Sequence, residues 1–296
     1  MADTYTSMIA TLAAPALEAG IINFSSPITN ITTAEGMAVQ LSTPNEHHLF
    51  DAVIVTAPLG CLKTNQLKFE PPLPPRITSA ISALSYGQLE KVLITFPEAF
   101  WMSPHDPTPS VYTFLTPEYS PSKTHMCAFS LAHLPLPHAS PTLLFYLFAP
   151  LSQQLTAPTH PRYDTPEGLA AYAEFFQPFF SKLPNYSRRE PACTPTKVLA
   201  TSWGSDEYAG YGSYSNFLTG LVDGEKDIEA LREGWEEGRV WFAGEHTAPV
   251  LGLGSVSGAW WSGEQVVERV DKALKKPTAV VDPLATGLLR WMVGET

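Results

Sequence analysis

RVWFAGEHTAPVLGLGSVSGAWWSGEQVVER, Arg239 to Arg269, is the stretch whose reading decides the rest. Val240-Trp241-Phe242-Ala243 is a short apolar run of the kind a buried strand makes. Gly244-Glu245-His246-Thr247 is a polar turn directly after it, and Ser255 to Val270 has a helical pattern. The small residues Ser255, Ala259, Ser262 and Gly263 recur at i, i+4, i+7 and i+8, which is one helix face. A face of small residues lets a flat or bulky group come close. The first N–H groups, near Val256, are left unpaired at the positive end of the helix dipole. A strand, an acidic turn and a small-faced helix with a free N-terminus describe a cofactor site; a core strand beside a packed amphipathic helix is the other reading of the same spacing. Gly252-Leu253-Gly254-Ser255-Val256-Ser257 misses G-x-G-x-x-G at its last position, and no strand with an acidic residue follows it, so it is not a dinucleotide fingerprint.

Outward from this stretch, the chain has 296 residues, 44% hydrophobic and 16% charged, a composition able to fill a sizeable core in one large or two smaller domains. With 29 acidic against 18 basic residues the net charge is −11, which disfavours nucleic acid and anionic membranes and does not repel a cationic substrate. Cys61, Cys127 and Cys193 are odd in number and widely spaced, so neither a disulfide framework nor a C-x-x-C site is expected. The histidines show no metal spacing, and there is no G-x-S-x-G and no P-loop. No signal peptide and no apolar run long enough to span a membrane is read, which points to an intracellular protein.

The pattern predicts a helix over 7–19 stopped by Gly20, paired strands over 21–41 with a turn at Glu35-Gly36, and a strand at 51–56 (DAVIVT) buried on both faces. PPLPP at 71–75 is a rigid connector opening a helix over 76–84. In LEKVLITF (89–96), Lys91, Leu93 and Thr95 share one face of a strand and Val92, Ile94 and Phe96 the other. Residues 101–161 alternate proline-rich loops with apolar runs at 126–131 and 142–149, as in an antiparallel sheet with long loops. A helix starts at Thr165 as N-cap, a strand covers 198–203, a Gly-, Tyr- and Ser-rich loop covers 204–220, a short helix covers 223–231, and 276–296 form a tail.

Three positions could carry chemistry. Lys91, mid-strand in an apolar segment, either faces water or is held inside to keep a water or polarise a cofactor atom. Trp203 and Tyr214 flank the glycine-rich loop and could sandwich an amine; Trp203 could equally pack in the core. Glu245, at a sharp turn after a strand, could accept ribose or ribityl hydroxyls, or be a solvated turn residue.

With these residues in hand, the chain resembles the C-terminal portion of the flavin-containing amine oxidases, the family of polyamine oxidases, monoamine oxidases and flavin-dependent histone lysine demethylases. Four blocks carry the resemblance: SPITNI (26–31) with DAVIVTAPLGCLK (51–63); FEPPLPP (69–75) with GQLEKVLITFPEAFW (87–101); Trp203 with GSYSNFLTG (212–220); and RVWFAGEHT (239–247) with GSVSGAWWSGE (254–264). It implies an α/β plus α+β fold: a Rossmann-type, GR2-like FAD-binding domain from residues 1–64 and 195–275, and a substrate domain with a mixed or antiparallel sheet over 65–194. It places Ile28, Thr56 and Pro58 on the adenosine side of FAD, and Glu245 on the ribityl–pyrophosphate region. The Val256 N–H falls at the pyrimidine end of the flavin, Lys91 at a water beside flavin N5, Trp203 beside the flavin, and Tyr214 in the aromatic cage. A second cage position falls near Ser255, which is not aromatic, and leans the reading towards polyamine oxidases and demethylases.

The implied reaction is oxidation of a C–N bond of a (poly)amine, with O2 as acceptor and H2O2 released. The strand, G-x-G-x-x-G and helix that open this family's FAD domain have no match upstream of Ser26. The FAD domain is therefore expected to be incomplete. The chain is either an FAD amine oxidase, with a small-molecule amine and O2 as partners, or an inactive truncated fragment that binds no FAD and serves as an interaction module.

Overall fold

In the computed structural model, residues 5–33, 38–103, 105, 108–114 and 126–275 are described. The Glu35-Gly36 turn and the 276–296 tail lie outside them. In chain order the elements are α1 (Thr6–Glu18), β1 (Asn30–Thr32), β2 (Val39–Ser42), β3 (His47–Phe50), β4 (Val53–Val55), α2 (Leu59–Lys63), β5 (Lys68–Glu70), α3 (Pro75–Ala83), β6 (Ser85–Gly87) and β7 (Leu89–Thr95). They continue with β8 (Val111–Phe114), β9 (Met126–Ser130), β10 (Thr142–Phe148), α4 (Leu151–Leu155), α5 (Pro166–Phe180), β11 (Lys197–Ala200), β12 (Tyr214–Asn216), α6 (Gly224–Glu233), β13 (Val240–Phe242) and α7 (Val256–Lys275). Parallel and antiparallel pairings both occur, so the chain is mixed α/β. Among the described residues no helix is long and apolar enough to cross a membrane.

Two compact units emerge. One takes the chain through Ile22 and Gln88–Asp206; the other takes Asn23–Gly87 and the chain from Glu207 onward. The seams fall at 22/23, 87/88 and 206/207. β5 pairs with β1 and the Arg76 guanidinium of α3 bonds Asp227 of α6 at 2.7 Å, which keeps 65–87 in the second unit. β11 pairs with β7, which keeps 197–200 in the first.

The first unit is an antiparallel sheet in the order β11-β7-β10-β9-β8. The alternation read in β7 holds: Val92, Ile94 and Phe96 are buried and Lys91 is exposed. Their face packs on α5, whose Tyr172, Phe176 and Phe180 recur at helical spacing into the same core. Phe96 meets Phe180 and Trp101 edge-on, with centroids 5.3 and 5.6 Å apart. Thr165 caps α5 as its sequence predicts, its hydroxyl accepting from Gly168 N at 3.0 Å.

In the second unit, β4 and β13 pair in parallel, Val53 opposite Val240 and Val55 opposite Phe242. Val53 and Val55 face a core with Ile31, Ile77, Ile81, Ile228 and Leu231, while Ile54 packs on the opposite side with Trp241 and Val266. DAVIVT is thus covered on both faces, as its unbroken apolar run requires. A four-stranded sheet, β3-β2-β1-β5, stands in the same unit.

Candidate functional site

In the second unit Pro27, Ile28, Ile54, Val55, Thr56, Pro58 and Leu67 line a cavity of about 550 Å³, with Tyr208 among its further walls. The three residues assigned to adenosine therefore come together. Side-chain hydrocarbon beside the backbone of an extended segment suits a flat heteroaromatic group. The glycine-rich loop after Asp206 is pinned at this wall. The Tyr86 hydroxyl donates to Ala209 O at 2.8 Å, and a Cβ on Gly60 would lie 2.0 Å from Gly210 O, so the loop sits directly on α2.

The opening stretch builds a second cluster in the same unit. The Glu245 carboxylate follows β13 and is fully engaged: Oε1 accepts from Ser215 N at 3.0 Å and Ser215 Oγ at 2.7 Å, and Oε2 accepts from Gly254 N at 2.7 Å. Glu245 is therefore bonded within the protein rather than left to solvent; it joins β12, which carries Tyr214, to the loop entering α7. Ser255 caps α7, its hydroxyl accepting from Gly258 N at 3.0 Å. Val256 is the first helical residue, and among the described residues its N–H has no partner.

The face of small residues divides. Ser262 is buried and accepts from Gly244 N at 2.9 Å, and Gly258 lies against Gly252 O, so this side serves to seat α7 on the turn. Gly263 instead faces open space.

In the first unit, Lys91 Nζ lies 5.6 Å from the centroid of Tyr146, its cross-strand partner, a cation–π contact on the exposed face of the sheet. Trp203 is 43% exposed, so it is not the core tryptophan of the alternative reading.

Two residues were missed. His246 is buried at the centre of GEHT with Nε2 unpaired, and burial pushes its pKa down to about 4. Glu90 is fully buried on the Val92 and Ile94 face. Its signal was a carboxylate at an inward parity of a two-residue alternation.

A family model described as flavin containing amine oxidoreductase matches residues 3–271. The chain belongs to this family. It is 30% identical over 209 residues to Protein FLOWERING LOCUS D of Arabidopsis thaliana, covering 71% of this chain and 24% of that protein. It is 31% identical over 197 residues to Lysine-specific histone demethylase 1 homolog 3 of Oryza sativa subsp. indica, covering 67% and 22%. The chain thus spans about a quarter of these relatives. Cyclohexylamine oxidase from Brevibacterium oxydans IH-35A shares the fold, with TM-score 0.60 at 18% identity over 89% of this chain and 51% of that one. By its description, this is a family of flavin-containing amine oxidoreductases.

Proposed function

We propose that this chain forms part of an FAD-dependent amine oxidase. The observation that carries the reading is the cavity lined together by Ile28, Thr56 and Pro58, residues from the two segments of the first block that the resemblance assigned to one end of FAD. The residues present fit that group: an apolar cavity for a flat heterocycle, and at α7 a helix N-terminus whose Val256 N–H is unpaired. When bound, FAD supplies the acceptor for a hydride from the carbon next to the amine nitrogen, with O2 taking the electrons as H2O2 and the imine hydrolysing to aldehyde and amine.

On this reading each side chain has a stated task. The Val256 N–H would be a donor to the pyrimidine end of the flavin, where it would favour negative charge. Glu245, held by three donors, fixes the Tyr214 strand and the α7 entrance as one framework. Tyr214 forms one wall for an uncharged amine, and Lys91 holds a water. Ser255, in place of a second aromatic wall, supports a polyamine or an N-methylated lysine as substrate.

Lys91→Met in flavin-loaded protein tests the reading. Flavin reduction by amine slows about tenfold or more if Lys91 serves the proton and water. An unchanged rate removes Lys91 from the mechanism.

A further inference from the structure

We propose that Glu90 is a positioning residue whose buried carboxylate ties the Trp203–Gly204 turn to the strand carrying Lys91, so that the two residues keep one fixed relation. Glu90 is 0% exposed, and among the described residues no cation pairs with it. A buried carboxylate without a counter-ion is costly unless its oxygens are bonded. Here two of the four bonds come from the backbone of the Trp203–Gly204 turn. Oε1 accepts from Gly204 N at 2.8 Å and from Gln88 Nε2 at 3.4 Å; Oε2 accepts from Trp203 N at 3.1 Å and from the Thr201 hydroxyl at 2.6 Å. The 2.6 Å contact is in the range of charge-assisted O–H···O⁻ bonds.

Thr201 closes the circuit. Its hydroxyl oxygen accepts from Lys91 N at 2.8 Å, and its own N–H donates to Lys91 O at 2.9 Å. The peptide on either side of Lys91 is thus bonded to Thr201, which is bonded to Glu90, which holds the next turn by two backbone N–H groups. Trp203 is 43% exposed and so is not located by the core; its backbone is bonded to the carboxylate. A core-filling role would be met by another apolar residue beside Val92 and Ile94, and would not call for a charge. The catalytic importance of the tether rests on the amine oxidase reading; the tether itself does not.

The test uses the whole chain labelled with 5-fluorotryptophan. Trp203→Phe assigns one line among the seven tryptophans, and Trp101, whose Nε1 donates to Ser130 Oγ at 2.8 Å in the same unit's core, is the reference. Glu90→Gln removes the charge at constant volume, and Thr201→Val removes the hydroxyl; Thr201→Ser restores it. Glu90→Gln and Thr201→Val are expected to move or broaden the Trp203 line and leave Trp101 in place, with Thr201→Ser matching wild type. In flavin-loaded protein, Glu90→Gln lowers the rate of flavin reduction by amine about tenfold with little change in amine KM. Should Glu90→Gln not fold, Thr201→Val decides. A Trp203 line that stays put in a folded variant, one that moves only together with Trp101, or a moved line with an unchanged reduction rate overturns the proposal. A moved line in a chain whose wild type is never reduced by amines sinks the oxidase reading and leaves the tether standing.

Discussion

Glu245 Oε2 accepts the Gly254 N–H at 2.7 Å, binding the turn after β13 to the residue just ahead of the α7 cap. Its other oxygen holds Ser215 by backbone and hydroxyl. Glu245→Ala leaves three donors without their acceptor and is expected to cost about 1–3 kcal/mol in denaturant unfolding and to weaken flavin binding. Glu245→Gln, which keeps one oxygen, falls between the variant and wild type. A midpoint unmoved by Glu245→Ala would show that water replaces the carboxylate without loss.

His246 sets an acid limit. Its pKa is held down to about 4 by burial, against 6.5 for an ordinary histidine. Between those values the unfolded chain binds the proton and the folded chain does not, so stability rises with pH across the window. It is lost as pH falls from about 6.5 towards 4, by up to about 3 kcal/mol, and levels off below. Urea unfolding at pH 7 and pH 5 measures the slope, and His246→Gln removes it. An identical slope in that variant would assign the effect to other groups.

The two glycines of α7 separate packing from exposure. A Cβ on Gly258 would lie 2.0 Å from Gly252 O, so Gly258→Ala must push the helix off its turn, at about 1–3 kcal/mol. Gly263 meets nothing within 4 Å, so Gly263→Ala is expected to be neutral or stabilising by about 0.5–1 kcal/mol. Thermal unfolding separates the pair if α7 seats as described: the midpoint falls for Gly258→Ala and is unmoved or raised for Gly263→Ala.

The cavity can be blocked without touching the core. Thr56 is exposed at its wall, so Thr56→Trp fills the space while leaving the unfolding midpoint near wild type. FAD and ADP titrations should both weaken at least about tenfold. Retained affinity would place the adenosine elsewhere.

Much of this arrangement was legible in the sequence because local rules and tertiary ones agree there. DAVIVT reads as a strand covered on both faces, and LEKVLITF alternates as the sheet alternates. The same alternation put Glu90 inside, but its partners come from Thr201, Trp203 and Gly204, far along the chain, and pairing of that kind leaves no periodic trace. Glu245 was seen as a turn carboxylate, while its engagement by Ser215 and Gly254 depends on how β12 and the α7 entrance fold back. The face of small residues was visible as spacing, yet spacing does not say that Ser262 is spent on Gly244 while Gly263 stays open. The unit seams follow from β5 and β11 choosing partners across long intervals, which no local pattern announces.

The most direct measurement mixes the folded chain with FAD, removes free flavin by gel filtration, and follows the visible flavin band anaerobically as an amine is added. The account predicts that flavin co-elutes with the chain, that the band bleaches with amine, and that O2 restores it with release of H2O2. A folded chain that leaves all FAD in the free fraction contradicts it.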